Sequence, residues 1–297
     1  MIVGLPKERM HRLKKSLQRL DELYARAKPN DPEVVERRAA AARRREKLLD
    51  RSGGKTKITL VCMTPRSGST FFSEALRVTE QLGNPGEWFN AHDTKSIDTI
   101  IEKYGCQTRE DVLDHIYNFS STDNGVCVIK GDYFQCLPFI FDGLFEQHFD
   151  IVKFVFLTRE DLLAQAISRY VGTVTGSWSS AQKAAKTEVP YDRPQIDKQL
   201  KFLLDMEEGW RHFFASRGIR PTRMSYEQLT RNLSGKVQQI AKLMNIKLAV
   251  EMQPEDLALK KQGSSRNKDW AAVFASETKD AAKVLAKLDK AKAKVNS

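Results

Sequence analysis

The sequence predicts an α/β fold in which a parallel sheet is covered by helices on both faces. Strand-like runs occur at Ile58–Met63, Val126–Lys130, Val152–Leu157 and Arg223–Tyr226, and segments with helical periodicity separate them. Strands that are apolar along nearly their whole length are typical of parallel sheets buried on both faces. With 297 residues, the chain can bury one full core and also carry appendages.

The segments between the strands show the apolar spacing of three and four residues that helices on a sheet require. The predicted helices lie near Phe71–Gln81, Thr108–Phe119, Leu162–Tyr170, Gln195–Ser216 and Lys236–Met244. Ligands of open parallel sheets bind beyond the carboxyl ends of the strands. A functional site is therefore expected in the segments that directly follow the strands.

The first 54 residues predict a helical hairpin ahead of the sheet. A narrow apolar stripe runs along its first helix, formed by Met10, Leu13, Leu17, Leu20 and Tyr24. Asp31 and Pro32 predict the N-cap and the first position of the second helix. The stripe fits either a helix of a second copy or packing against the chain's own body. We divide the chain into a basic helical extension (1–54), a main domain (55–276) and a helical tail (277–297).

The net charge of +11 is concentrated in this extension. Residues 1–57 hold 17 Lys and Arg against 8 Asp and Glu, whereas the remaining 240 residues hold 32 against 30. Basic helices bind anionic surfaces, such as nucleic acid or lipid, or form a solvated face. No base-reading motif or stacking aromatic accompanies these arginines. We therefore expect no nucleic-acid partner, and only peripheral contact with an anionic membrane.

Composition excludes other classes of protein. No uninterrupted apolar run reaches the length of a membrane span, and Met1–Leu5 is too short for a secretory signal. The four cysteines show no C-x-x-C pairing, and Cys62 and Cys127 fall inside apolar runs. Buried, reduced thiols of a cytoplasmic protein are expected. No clustered metal ligands occur, so no metal is expected.

The strongest functional signal is the run from Ile58 to Phe72, which predicts a strand, a tight polar loop and a helix. Gly68 lets the backbone approach a ligand closely, and Arg66 offers a planar fork of donors. Three hydroxyls accompany them, from Ser67, Ser69 and Thr70. Free N–H groups and the positive end of the helix dipole favour a phosphate or sulfate there.

The loop differs from the nucleotide-triphosphate motif G-x-x-x-x-G-K-[ST], since it lacks the leading Gly and the Lys. A site for a triphosphate with magnesium is therefore disfavoured, and a P-loop-like cradle for another anion is favoured. The segments Lys130–Asp132 and Thr158–Glu160 follow or end the next strands. They are expected to converge on the same edge of the sheet.

Three segments together carry a family resemblance. The first comprises Thr64–Thr70 and Leu82–Phe89, the second Phe156–Ser168 and Thr175–Trp178, and the third Ser225–Leu229. In this order they resemble the bacterial trehalose 2-sulfotransferase family and the related nodulation-factor and lipopolysaccharide carbohydrate sulfotransferases. The first 50 or so residues lie outside the resemblance.

The resemblance implies transfer of a sulfuryl group from 3'-phosphoadenosine 5'-phosphosulfate to a hydroxyl of a carbohydrate or glycolipid. By motif, Arg66–Thr70 would hold the 5'-phosphosulfate, while Arg159 and Ser168 would contact the 3'-phosphate. Lys261, in a basic stretch ahead of Trp270, would close over the nucleotide. Each of these residues also has a plainer interpretation: a helix-flank salt bridge for Arg159, a surface hydroxyl for Ser168 and a loop tip for Lys261.

Glu87 matches the carboxylate that the family uses as general base, because a sugar hydroxyl needs a base to take its proton. His92 is a competing base. Lys130 is the candidate for a second cation on the transferred group. Trp88 and Trp178 are expected to line the acceptor side, since aromatic rings suit sugar faces, although a core position suits Trp178 equally well.

Two other functions stay open from the sequence. The first is a nucleotide-dependent kinase with a degenerate phosphate loop, for which Lys130 and Asp132 are the only nearby cation and acid. The second is a basic protein that binds nucleic acid or lipid through the hairpin. The enzyme hypothesis predicts a cytoplasmic homo-oligomer joined through the N-terminal helices.

Overall fold

The computed structural model describes residues 5–90, 97–178, 188–248, 257 and 267–278. Two compact units divide the chain: Met1–Glu160 with Asp205–Ala258, and Asp161–Leu204 with Leu259–Ser297. In the described residues, no helix is both long and apolar enough to cross a membrane.

The first unit contains a four-stranded sheet, which confirms the predicted α/β class. The strands are β1 (Lys57–Met63), β2 (Val126–Asp132), β3 (Ile151–Thr158) and β4 (Thr222–Ser225). All neighbours are parallel, in the order β2-β1-β3-β4. Because Met63 pairs with Asp132 on one side and with Leu157 on the other, the carboxyl ends of the strands meet at one edge.

The helices follow the strands in the expected alternation. In chain order they are α1 (Lys7–Arg26), α2 (Pro32–Arg51), α3 (Ser69–Val78), α4 (Ile97–Tyr104), α5 (Arg109–Ser120), α6 (Tyr133–Ile140), α7 (Leu144–His148), α8 (Leu162–Thr175), α9 (Arg193–Ser216), α10 (Tyr226–Arg231) and α11 (Leu233–Leu243). Among the described residues, a further helix, α12, spans 267–278.

Several boundaries differ from the sequence prediction. Four short helices, α4, α6, α7 and α10, were not expected. Helix α6 is buried on nearly every side and contains Pro138, so it has no periodic apolar face for a sequence pattern to show. Strand β2 continues through Asp132 rather than ending at Lys130, and Tyr226 begins α10 rather than ending β4.

Both faces of the sheet are covered within the first unit. On one face, Phe72 and Leu76 of α3 and Val237 and Ile240 of α11 pack in a buried cluster with side chains of the strands. Trp210 of α9 is fully buried and donates from Nε1 to the carbonyl oxygen of Met63 at 3.1 Å. That bond fixes the end of β1, where the predicted loop begins. The four cysteines are buried free thiols, as expected.

The N-terminal hairpin forms as predicted and packs within the first unit. Asp31 caps α2 by accepting a hydrogen bond from the Glu33 N–H at 3.0 Å. Helix α1 packs against α4 and α6, and α2 packs against α4 and α5. Leu13 and Leu20 of the apolar stripe are buried by this packing. Of the two predicted interpretations of the stripe, packing against the chain's own body is the one observed.

A buried ion pair fastens the hairpin to α9. Arg9 is only 2% exposed, and its guanidinium donates to Asp205 Oδ1 at 2.8 Å and to the Asp205 carbonyl oxygen at 3.0 Å. The same guanidinium lies 5.7 Å from the centre of the Tyr133 ring. Bidentate contacts of this kind hold two elements in one geometry. Arg9 therefore ties α1 to the helix that supports the sheet.

We expect Arg9→Met to lower the free energy of unfolding by about 1–3 kcal/mol, because Asp205 would lose its charged partner in a partly buried place. Urea denaturation measures the change. Arg19→Met is the matched control, since it removes a more exposed pair with Asp98 and should cost about 0–1 kcal/mol. Equal effects of the two substitutions would show that burial of the Arg9 pair contributes nothing.

Candidate active site

The segment between β1 and α3 forms a tight turn at the carboxyl edge of the sheet. Arg66 and Gly68 have φ of 68° and 83°, both in the left-handed region. Gly68 is the N-cap of α3, and no side chain caps the helix there. The first N–H groups of a helix have no partner within the helix. The turn therefore presents open amides in the arrangement that binds anions.

Hydroxyl groups of the turn add to these amides. Ser67 is fully buried, and its Oγ has no hydrogen-bond partner among the residues that the structure describes. A buried hydroxyl without a partner is unusual in a folded protein. Ser69 is also buried, whereas Thr70 is exposed. The Ser67 hydroxyl is thus available to an oxygen-rich ligand at the turn.

Two guanidinium groups lie close together beside the turn. Arg159, which follows β3, donates from Nη1 to the Arg66 carbonyl oxygen at 3.4 Å. Burial lowers the pKa of Arg66, and the positive charge of Arg159 lowers it further. Like charges held this close repel each other, and an anion between them would relieve the repulsion. The pair therefore favours an anionic ligand.

Arg159 does not make the helix-flank salt bridge that was its plainer interpretation. Glu160 instead accepts a hydrogen bond from Ser225 Oγ at 2.7 Å. Asp161 accepts from the Ala164 N–H and caps α8. Within the described part of the chain, Arg159 forms no ion pair with an acidic side chain, and its Nε is buried without a partner.

A second cluster joins the turn to Glu87. Lys130 Nζ donates to Thr70 Oγ1 at 3.1 Å and lies 3.1 Å from Glu87 Oε1. The Lys130 side chain is 7% exposed and that of Glu87 26%. The Lys130 N–H donates to the Gly86 carbonyl oxygen at 3.2 Å, so the segment with Glu87 runs along the outer edge of β2. Thr70, Lys130 and Glu87 thus form one connected group.

Aromatic contacts hold the Glu87 segment in place. Trp88 stacks on Phe119 with ring centroids 5.3 Å apart, and Phe89 stacks on Phe139 at 4.6 Å. Trp88 is half-buried, and its Nε1 has no partner among the described residues. One face of the Trp88 ring is therefore used for packing, while its predicted role toward an acceptor stays a prediction.

Four other predicted residues lie outside the described residues or in the second compact unit. His92 and Lys261 lie outside the described residues. Ser168 lies on α8 and Trp178 follows that helix, and both belong to the second compact unit. There, Trp178 is 41% exposed and packs against Gly172. A core position for Trp178 is therefore wrong, and the predicted roles of Ser168, His92 and Lys261 stay predictions.

One residue at the site had no role in the sequence prediction. Tyr226 follows β4, and its ring contacts both Gly68 and the guanidinium of Arg159. The signal that could have found it is its place directly after a strand, the same rule that placed Thr158–Glu160 at this edge of the sheet. The sequence prediction placed Tyr226 in a strand-like run and in the family resemblance, and gave its side chain no role.

The parallel sheet, with a tight turn after its first strand that leads into a helix without a side-chain cap, defines a P-loop-like α/β protein. The family model of Stf0 sulphotransferases matches residues 59–123 and 142–277, more than half of the chain. The chain therefore belongs to the Stf0 sulphotransferase family, which confirms the predicted resemblance. Arg66, Glu87 and Arg159 lie inside the matched ranges, whereas Lys130 lies between them.

Two curated relatives are similar over most of their length. A protein of Mycobacterium tuberculosis (strain ATCC 35801 / TMC 107 / Erdman) named trehalose 2-sulfotransferase is 26% identical over 254 residues, which cover 73% of this chain and 94% of the relative. A protein of the same name from Mycolicibacterium smegmatis (strain ATCC 700084 / mc(2)155) is 25% identical over 248 residues, covering 71% and 91%.

Proposed function

We propose that this member of the family transfers a sulfuryl group from 3'-phosphoadenosine 5'-phosphosulfate to a hydroxyl of a carbohydrate or glycolipid. The observation that carries the proposal is the Lys130 ammonium group, which lies 3.1 Å from both Thr70 of the anion-binding turn and the Glu87 carboxylate. Transfer of a group to a hydroxyl requires a site that binds the donor next to a side chain that accepts the hydroxyl proton.

The residues present fit a donor with two anionic ends. Ser67 Oγ is buried without a partner, the α3 amides are uncapped, and Arg66 stands beside them, so the turn suits the 5'-phosphosulfate. Arg159 has a buried Nε without a partner and suits a second phosphate. Guanidinium and amide donors of this kind bind sulfate and phosphate oxygens strongly.

The proposed reaction is an in-line transfer between two oxygens. The bond from sulfur to the donor's phosphate oxygen breaks while a bond from sulfur to the acceptor oxygen forms, and the acceptor proton passes to Glu87. Arg66 and the turn amides stabilise the charge that grows on the departing phosphate. The Lys130 ammonium group pairs with Oε1 of Glu87, whereas Oε2 has no partner among the described residues. Oε2 is therefore the proposed proton acceptor.

The names of the relatives suggest the first acceptors to test. Both are called trehalose 2-sulfotransferase, so we propose trehalose or a trehalose-containing glycolipid ahead of lipopolysaccharide. The test is incubation with donor labelled in the sulfuryl group and with each acceptor in turn. Label that moves to a sugar acceptor supports the proposal. Tight donor binding with no transfer to any carbohydrate or glycolipid fraction would contradict it.

Lys130→Met tests the connected group. We expect kcat to fall by about 10- to 100-fold, because the variant loses a cation at the reacting group while Arg66 and the amides stay in place. Steady-state sulfation assays measure the change. Lys153→Met, which removes a lysine near the opposite end of the sheet, is the matched control and should leave kcat unchanged. An unchanged kcat in Lys130→Met would remove this residue from the site.

The kinase alternative is less well supported. It needs Asp132 for magnesium, but this carboxylate accepts a hydrogen bond from the Gln135 N–H at 2.9 Å and caps α6. Isothermal titration with 3'-phosphoadenosine 5'-phosphate, in parallel with ATP and magnesium, separates the two hypotheses. Tighter binding of ATP would favour the kinase.

The nucleic-acid alternative is weakened because six of the 17 basic residues in residues 1–57 form ion pairs. Six arginines of the hairpin pair with acidic side chains of the same unit: Arg9, Arg19, Arg37, Arg44, Arg45 and Arg51. Paired arginines contribute less to the release of counterions that drives nucleic-acid binding.

Three further expectations stay predictions: a homo-oligomer, peripheral contact with an anionic membrane and a cytoplasmic location. Light scattering on the full-length protein tests the first, since the apolar stripe is already used within the chain.

A further inference from the structure

We propose that Tyr226 is a positioning residue that holds Arg159 against the anion-binding turn. This inference rests on the proposed function, because Arg159 and the turn are the groups proposed there to bind the sulfuryl donor. Tyr226 is the first residue of α10, directly after β4, and belongs to the same compact unit as the turn. Its ring contacts both Gly68 of the turn and the guanidinium group of Arg159.

The first contact is with the turn itself. A Cβ placed on Gly68 would lie 2.4 Å from Cδ2 of the Tyr226 ring, and three atoms of this ring are its nearest neighbours. Real Cβ atoms do not approach other atoms so closely, so a residue without a side chain is needed there. The glycine thus serves both the left-handed backbone of the turn and the close seat of the Tyr226 ring.

The second contact is with the guanidinium of Arg159. The central carbon of this group lies 5.1 Å from the Tyr226 ring centroid, within the range of a cation–π contact. The same guanidinium donates to the Arg66 carbonyl oxygen at 3.4 Å. No acidic side chain in the described residues holds Arg159. The ring and one carbonyl oxygen are therefore its supports.

Hydrogen bonds between neighbouring segments hold the backbone on both sides of Tyr226 in the sequence. Ser225 Oγ donates to Glu160 Oε1 at 2.7 Å and accepts from the Gln228 N–H at 3.2 Å. The Glu160 N–H donates to Glu227 Oε2 at 3.0 Å. These bonds join the segment that follows β3 to the end of β4 and the start of α10. Burial also raises the pKa of the Tyr226 phenol.

A double-mutant cycle tests whether Tyr226 acts through Arg159. Isothermal titration with 3'-phosphoadenosine 5'-phosphate would be run on the unsubstituted protein, Tyr226→Leu, Arg159→Ala and the double variant. We expect Tyr226→Leu to weaken binding about tenfold. In the Arg159→Ala background the same change should weaken it by less than about twofold. Tyr226→Phe should restore near-native affinity, because the ring and not the hydroxyl makes both contacts.

Controls separate positioning from damage to the fold. Tyr24→Leu, the same substitution on α1 of the same unit, should leave nucleotide affinity unchanged. Urea midpoints of all variants show whether Tyr226→Leu is folded under assay conditions. In assays of transfer, Tyr226→Leu should raise KM for the donor while changing kcat and the acceptor KM little.

A measurement without nucleotide keeps the inference independent of the proposed function. The NMR resonance of the Arg159 Nε–H feels the ring current of Tyr226, so it should move in Tyr226→Leu and stay in Tyr226→Phe. An unmoved resonance, or additive losses in the cycle, would overturn the positioning role. Failure of the unsubstituted protein to bind the nucleotide would refute the proposed function instead, and the resonance would still decide whether Tyr226 holds Arg159.

Discussion

Glu87→Gln is expected to lower kcat by about 10²- to 10⁴-fold, the usual contribution of a general base. The amide keeps the size of the carboxylate but cannot take a proton from the acceptor hydroxyl. Glu87 lies 3.1 Å from Lys130 and next to the stacked Trp88 ring, so the segment should keep its shape. Affinity for 3'-phosphoadenosine 5'-phosphate should stay within about twofold, because in the proposed reaction the carboxylate takes the acceptor's proton and does not bind the donor.

Initial rates of sulfation with saturating donor and acceptor measure the loss, and titration calorimetry measures donor affinity. Glu102→Gln, an exposed position on α4, is the matched control and should behave like the unsubstituted protein. His92 is the competing base from the sequence. If His92→Ala abolishes turnover and Glu87→Gln does not, the general base has been wrongly assigned.

Arg66→Ala should weaken donor binding by about 2–4 kcal/mol, the scale for removing one charged partner in a partly buried site. At room temperature this is a loss of roughly 30- to 1,000-fold in affinity. Arg66 lies in the turn. Burial and the positive charge of Arg159 destabilise its charged form and lower its pKa. A bound anion relieves that cost, so the guanidinium gains more from the donor than an exposed one would.

Calorimetry with 3'-phosphoadenosine 5'-phosphate gives the affinity of Arg66→Ala. Arg66→Lys is informative beside it, because it keeps the charge but loses the planar fork, and an intermediate affinity is expected. Arg77→Ala, an exposed arginine at the end of the same helix, is the control. Arg159→Ala should give a loss of similar size. Near-native affinity in either variant would exclude that arginine from the donor-binding site.

Much of the fold could be predicted because local patterns specify it. The first three strands are largely apolar runs, so their positions needed no knowledge of neighbours. The left-handed turn at Gly68 follows from small residues between a strand and a helix. By contrast, α6 is buried on nearly every side and contains an internal proline. Periodicity cannot report a helix without a polar face.

The sequence by itself predicted the parallel sheet and the polar turn after the first strand, because strand ends and loop chemistry can be read locally. Arg66 and Lys130 were candidates from their places beside strand ends, whereas Glu87 and Arg159 became candidates through the family resemblance. Only the tertiary structure decided that Lys130 bridges Thr70 and Glu87, and that Tyr226 supports Arg159 on Gly68. It also decided that six arginines of the basic hairpin form ion pairs with acidic side chains of the same unit. The physical reason is that such contacts join segments far apart in the chain, and their partners are fixed by strand register and packing rather than by neighbouring residues.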